Sequence, residues 1–317
     1  MKRESGDDFA IDAEIAEDGS FRRQENAFRE SVSADGSTAF PAEAGRYHLY
    51  VSWACPWAHR TIIARKLKGL EAAITMSAVD PIRDARGWAF TGGEYTDPVN
   101  GFGLLSEAYL ATDPGFAQRV TVPVLWDRTT GSIVNNESSE ILRMLDSGFG
   151  DLADDSTVLC PERFREEIDA INEWTYPAIN NGVYRAGFAT SQSAYDAAVG
   201  NLFDALDRLD AMLAERRWVA GSPAPTEADW RLFTTLVRFD AVYVGHFKCN
   251  LRRIADYPNL SGYLSDLHQQ PGIAGTVRIG EIKAHYHRTH PMINPTGVVP
   301  AGPVLDFDRP HGRATLP

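Results

Sequence analysis

Apolar and polar positions follow two rhythms along this chain, and the change falls near residue 150. Up to about Gly45 the chain is polar and broken by Gly, Asp and Ser, which predicts an irregular extension. Residues 46–52 are rich in β-formers and predict a strand. Pro56 suits a first helical turn, residues 58–67 keep an apolar period, and Lys68-Gly69 closes that period as a helix C-terminus closes. Residues 74–79 predict a second strand. Strand, helix and strand in that order make a βαβ unit with a parallel pair. The stretch 81–103 is too long for a routine connection, a length typical of functional or disordered loops. Residues 121–127 read as a strand with Pro123 inside it, which implies an edge position or a special turn. A turn at 129–132, a short strand at 133–134 and a helix over 137–145 complete this half.

From about Asp151 the β signals vanish. Residues 153–156 read as a linker, and 164–179, 194–213, 227–244 and 260–268 repeat apolar positions at spacings of three and four, the helical period. Thr226-Glu227-Ala228-Asp229 resembles a capping box with Asp in the Glu position. Residues 293–317 are rich in Pro and Gly and predict an ordered or wrapping coil, and no internal repeat is present. The expected fold is an α/β first half joined to an all-helical second half. Its organisation is an extension over residues 1–45, an α/β domain over 46–150 and a helical domain with a terminal coil over 151–317.

With 317 residues, 44% hydrophobic and 23% charged, the chain has apolar material for two cores. A formal net charge of −12 without a basic tract argues against a nucleic-acid partner. The N-terminal residues 1–8 lack the apolar stretch of a signal peptide, and no apolar run approaches the roughly 20 residues of a membrane span. Three widely spaced cysteines form neither a disulfide framework nor a zinc-ligand set, and the dispersed histidines and carboxylates give no metal site. A cytoplasmic, reducing compartment is the expectation.

Cys55 is the strongest single feature. It lies between a predicted strand and a predicted helix, where backbone N–H groups and the helix dipole stabilise an anion. Such a position lowers a thiol pKa from about 8.5 into roughly the 3.5–7.5 range. A drop of about 2 units is worth about 2.7 kcal/mol, enough to ionise most of the thiol at neutral pH. The motif is Cys-x-x-Ala, so no neighbouring thiol can resolve a mixed disulfide, and a small soluble thiol is implied. A lone cysteine is often only a small buried hydrophobe, and Cys160 and Cys249, without such a setting, are read that way.

Val122-Pro123 is an edge-strand proline on its plainer reading; in a cis form it would present the Val122 backbone to a peptide-like ligand. Glu137-Ser138 is on its plainer reading a helix start with a favourable acid. Its functional reading is Ser138 and helical N–H groups for a carboxylate and Glu137 for an ammonium. A γ-glutamyl group carries both charges on one carbon, so the two readings together fit glutathione.

The run 45–50 leading into Ala54-Cys55-Pro56-Trp57-Ala58-His59-Arg60 resembles the Xi class of glutathione transferases, the glutathionyl-hydroquinone reductases. The resemblance continues through Gly87-Trp88, residues 121–127, residues 135–141, Asn181-Gly182-Val183-Tyr184, Tyr257-Pro258-Asn259-Leu260 and Lys283-Ala284-His285-Tyr286. It ends with residues 293–297 and 310–313, and Phe21-Arg22-Arg23-Gln24 with Phe28-Arg29 matches the family's N-terminal extension. Cys-Pro-x-Ala alone is shared with omega-class enzymes; the tyrosine and tail motifs are more specific.

The resemblance implies a thioredoxin-like N-terminal domain, an all-helical C-terminal domain and a homodimer. It implies glutathione as cosubstrate, an aromatic glutathione conjugate as substrate, and Cys55 as the nucleophile that forms a mixed disulfide with glutathione. By motif, Trp88, Arg119, Val122, Glu137 and Ser138 would bind glutathione, and Tyr184 and Tyr286 would be the catalytic tyrosines. Chemistry supports those tyrosines, because breaking an aryl C–S bond leaves charge on the ring that a phenol can quench with a proton. The sequence departs from the family at His287, read as solvent-facing in preference to a residue that tunes pH dependence near the substrate pocket, and at Thr289; His48 and His59 are read as packing or hydrogen-bonding residues. Two other readings stay open: a general omega-like thiol transferase or dehydroascorbate reductase, and a non-catalytic module of the same fold used in assembly.

Overall fold

A computed structural model describes residues 11–317, so the first ten residues of the expected extension, and with them the reading of residues 1–8, lie outside the described residues. The described chain forms two compact units, residues 24–158 with Ile11, and residues 12–23 with 159–317.

In the first unit, β1 (Val32–Ser33) and β2 (Phe40–Pro41) form a small parallel pair. The main sheet is built from β3 (Tyr47–Val51), β4 (Ile74–Ala78), β5 (Val124–Asp127) and β6 (Ser132–Asn135), in the order β4-β3-β5-β6. β3 and β4 pair in parallel through the crossover helix α1 (Pro56–Leu67), as the strand–helix–strand order predicts. β5 runs antiparallel to β3, and β6 antiparallel to β5. Every residue of β3 and β5 is buried, because these central strands are covered on both faces. The helix α3 (Ser138–Arg143) packs against α1, and α2 (Ser106–Thr112) meets β6.

Pro123 is not on an edge strand. β5 lies between β3 and β6, and pairing starts at Val124, one residue past a cis Val122–Pro123 bond, so the proline removes no ladder hydrogen bond. The special turn was the correct alternative. The long loop before α2 is ordered by Asp97, which accepts the N–H groups of Val99, Asn100 and Phe102 and the Tyr50 hydroxyl. Residues 28–30 run along β6: Glu30 N donates to Val134 O at 3.0 Å and Asn136 N to Phe28 O at 3.1 Å.

The second unit is helical: α4 (Arg165–Thr175), α5 (Gly182–Gly187), α6 (Gln192–Leu213), α7 (Glu227–Arg238), α8 (Leu260–His268) and α9 (Ile279–Thr289). Asp229 closes the expected capping box, accepting Thr226 N at 2.7 Å, and also takes Val219 N and the Tyr263 hydroxyl. Two of the long periodic runs finish in π-helical turns, at Tyr176–Asn180 after α4 and Phe239–Tyr243 after α7. A thioredoxin-like sheet unit and a helical unit are the architecture that the periodicity and the resemblance implied.

The periodicity did not mark α2, α5 and α9. The first two are short, and the buried face of α9 is Ile282, Lys283, His285, Tyr286, His287 and Thr289, which carries little apolar period. His287 is therefore not solvent-facing. It is 6% exposed, its ring 4.8 Å from that of His246, because this helix fills its inner face with histidines and a tyrosine instead of aliphatic residues.

Candidate functional site

Cys55 is the N-cap of α1 (φ −78°, ψ 123°), with Pro56 in the first helical turn. Its carbonyl accepts His59 N at 3.0 Å, so the residue sits at the positive end of the helix. Sγ lies 3.5 Å from the Val122 carbonyl, which brings together the two residues that the sequence singled out in separate segments. Cys55 is partly exposed, whereas Cys160 and Cys249 are buried, and burial pushes the Cys249 thiol far above its ordinary value. Among the described residues, no group of three His, Cys, Asp or Glu side chains is placed to hold a metal ion.

Glu137 is the N-cap of α3. Its Oε1 accepts Ser139 N at 3.0 Å and the Ser139 hydroxyl at 2.8 Å, and Oε2 accepts Asn26 Nδ2 at 2.5 Å. Burial pushes this carboxyl up, but these donors, with the charge of Arg60, outweigh it and hold the group below its ordinary value. Carboxylate oxygens held this way keep lone pairs for an ammonium group. Ser138, 3% exposed, takes a 3.4 Å contact from Arg60 Nη1, and the buried Arg60 guanidinium lies 4.5 Å from the Trp57 ring centroid. A buried cation beside a helix N-terminus is an electropositive setting for an anion.

Two residues of the extension fasten this region together. Gln24 and Arg119 exchange reciprocal bonds, Gln24 Nε2 to Arg119 O at 2.8 Å and Arg119 N to Gln24 Oε1 at 3.2 Å. Asn26 reaches Thr121 Oγ1 at 3.4 Å as well as Glu137. Arg119, Thr121 and Glu137 thus share one scaffold. Trp88 stands on the 81–103 loop, with Arg83 5.0 Å from its ring centroid. Neither Asn26 nor Arg60 was readable as a site residue, because what places each is a long-range contact.

Tyr184 and Tyr286 belong to the helical unit, and the structure brings them together: their hydroxyls are 2.5 Å apart. Tyr243 adds a third phenol, 3.1 Å from the Tyr286 hydroxyl. Burial, then the charge of Tyr184, pushes both Tyr243 and Tyr286 well above the ordinary phenol value. Arg23 stacks 4.7 Å from the Tyr184 ring centroid and donates to Asn181 Oδ1 at 2.9 Å, joining two of the motifs that carried the resemblance. Gly187 lets the Phe247 ring lie against α5, where any Cβ would come within 2.2 Å of it. Sequence offered no sign of Tyr243 beyond its place in an apolar run.

The family descriptions "Glutathione S-transferase, N-terminal domain" and "Glutathione S-transferase, C-terminal domain" match residues 54–147 and 192–265. The chain is 50% identical over 304 residues to the glutathionyl-hydroquinone reductase YqjG of Escherichia coli, covering 93% of this chain and 92% of that protein. It is also 50% identical over 287 residues to the glutathionyl-hydroquinone reductase PcpF of Sphingobium chlorophenolicum, covering 90% of each. Among solved structures, glutathione-bound YqjG superposes with a TM-score of 0.88 over 91% of this chain and 96% of that one, at 50% identity. A Xi-class glutathione transferase from Natrialba magadii gives 0.89 over 94% and 96%, at 51% identity.

Proposed function

The chain belongs to the Xi class of glutathione transferases, the glutathionyl-hydroquinone reductase family, and on that premise we propose that it reduces S-glutathionyl-hydroquinones to hydroquinones at the expense of glutathione. The observation that carries this reading is a partly exposed cysteine at the N-terminus of α1, with no second cysteine in its motif.

The Cys55 thiolate attacks the glutathionyl sulfur. An S–S bond forms between Cys55 and glutathione while the aryl C–S bond breaks, its electron pair passing to the ring carbon. That carbon takes a proton from a phenol, the role of Tyr184 with Tyr286. A second glutathione, as thiolate, attacks the mixed disulfide and releases glutathione disulfide, regenerating the Cys55 thiolate. The conjugate is reduced by two electrons, and two glutathionyl groups leave as one disulfide.

Glutathione binds in the 46–150 domain. Glu137 takes its ammonium, Ser138 with the α3 N-terminus its α-carboxylate, the Val122 backbone its peptide groups, and Trp88 and Arg119 the rest of the tripeptide. The helical domain over 151–317 carries the two tyrosines. The protein works as a cytoplasmic homodimer; no helix among the described residues is long and apolar enough to cross a membrane. The test is incubation with an S-glutathionyl-hydroquinone and glutathione, following hydroquinone and glutathione disulfide by chromatography. Equimolar formation of both, abolished in Cys55→Ala, is expected. Turnover of dehydroascorbate or mixed disulfides with no release of hydroquinone would instead assign the omega-like reaction.

A further inference from the structure

The helical unit contains a cavity of about 580 Å³, a volume in the range of small-molecule pockets, and none of the phenols or of the residues assigned to glutathione lines it. One wall carries Asn181 and Arg185, four residues apart, and a second is the start of α6 at Ser193 and Ala197. The third is the segment 18–23, and hydrogen bonds hold it in place. Thr190 N donates to Gly19 O at 3.0 Å, Ser191 Oγ to Asp18 O at 2.8 Å, and Arg23 Nε to Asn181 Oδ1 at 2.9 Å. Gly19 is needed for so close an approach: its φ is +81°, and a Cβ there would stand 2.8 Å from Ser191 N. The cavity is therefore built from fixed elements.

Its charge is one-sided. Arg22, Arg23 and Arg185 line it against a single carboxylate, Asp18, whose Oδ1 accepts Ser20 N at 2.9 Å. Among the described residues, neither the Arg22 nor the Arg185 guanidinium makes a hydrogen bond or an ion pair. Carboxylates are in excess in this chain, with its net charge of −12, and they pair Arg46 and Arg217 elsewhere, yet none bonds the guanidiniums here. The first turn of α6 carries no acid either, so the positive end of its dipole adds to the field.

Three arginines against one carboxylate leave an excess of two positive charges, which a dianion neutralises. Guanidinium forks match the oxygens of carboxylate and phosphate groups alike. A bare ion would fill only a small part of the cavity, so the ligand has an organic body. We propose that this cavity binds a small organic dianion, a phosphate ester or a dicarboxylate, held chiefly by Arg22 and Arg185. The site does not depend on the reaction proposed above.

The test is calorimetric titration of the full chain with succinate and with glycerol 3-phosphate at low ionic strength, with acetate as the monoanion control. At least one dianion should bind saturably, one per chain, about tenfold or more tighter than acetate. Whichever dianion binds more tightly identifies the class. Arg22→Ala/Arg185→Ala should weaken that binding by about tenfold or more. Arg163→Ala/Arg288→Ala removes the same charge from exposed positions outside the cavity and should leave the affinity within roughly twofold. Melting temperatures close to that of the parent check the fold of both variants. No saturable binding, acetate as tight as the dianions, binding retained in the cavity variant, or equal losses in both double variants would each overturn the proposal. So would sedimentation showing that Arg22→Ala/Arg185→Ala dissociates a dimer to which neither dianion binds, since the arginines would then face a second copy of this chain.

Discussion

At the scale of the residue, setting rather than type separates the proposed nucleophile Cys55 from a packing cysteine such as Cys249. Cys55 caps a helix and is partly exposed; Cys249 is buried, its sulfur facing the carbonyls of Val183 and Phe247, with its thiol pushed far up by burial. Iodoacetamide at pH 7.5 should therefore carbamidomethylate Cys55 in the folded protein and leave Cys249 unmodified until denaturant is added, as peptide mass spectrometry can read. Comparable labelling of both would refute the difference in environment. For Glu137 the sign follows from its hydrogen bonds: they hold it ionised below the ordinary carboxylate value of 4.5, so the charge persists as pH falls toward that value. The KM for glutathione should stay flat between pH 7 and about 5 where Glu137 binds the ammonium, and Glu137→Gln should raise it at least tenfold throughout. Both residues were legible because their setting is local: each starts a helix that its own neighbours announce. The placement of Asn26 and Arg60 was not, since each is set by a contact with a residue tens of positions away.

Elements without hydrophobic period were the hardest to read, and two of them shape the protein. Residues 24–30 have no regular structure of their own, yet they pair along β6 and tie Arg119 to Glu137. Asn26→Ala should raise the KM for glutathione about threefold to tenfold with a small change in melting temperature, since it releases one donor from a charged acceptor. The C-terminal coil behaves similarly. Arg313, 4% exposed, donates to the carbonyls of Leu213, Arg216 and Arg217, placing a cation at the negative end of α6. Gly262 of α8 makes room for it, because a Cβ there would stand 2.8 Å from the His311 carbonyl. Arg313→Ala should cost about 2–4 kcal/mol in urea unfolding, and Gly262→Ala should be destabilising too. Loss of under about 0.5 kcal/mol in Arg313→Ala would mean that the coil is an ornament of the helical unit. Composition predicted an ordered or wrapping coil over 293–317; its anchors, Lys283 on the carbonyls of Ala301 and Gly302, Gln269 on those of Phe307 and Arg309, and the buried Arg313, are long-range contacts that no period reveals.

At the scale of the whole molecule, the change of period near residue 150 foretold a sheet unit followed by a helical one, but not that residues 12–23 group with the helices. Nor did it show that each unit buries a histidine that stays neutral. Burial pushes His48 in the sheet unit down to about 4, and its Nδ1 lies 2.7 Å from Thr75 Oγ1. In the helical unit, burial and then the charges of His287 and Lys248 push His246 down to about 3, and its Nε2 lies 3.0 Å from His290 Nδ1. Above the ordinary histidine value of 6.5, folded and unfolded chains are both neutral at these positions, so nothing is gained or lost. As pH falls below 6.5 the unfolded chain binds protons that the folded one refuses, and stability declines until the folded values are reached. For His48 the loss is on the order of 3 kcal/mol by pH 4. The net charge of −12 works the other way, since acid relieves self-repulsion, but most carboxylates stay ionised until pH nears 4.5. Between pH 6.5 and 5 the histidines therefore dominate. The urea midpoint should fall steadily across that window, and His48→Gln should flatten the decline; a midpoint that holds or rises would show that repulsion, not histidine protonation, governs the acid side.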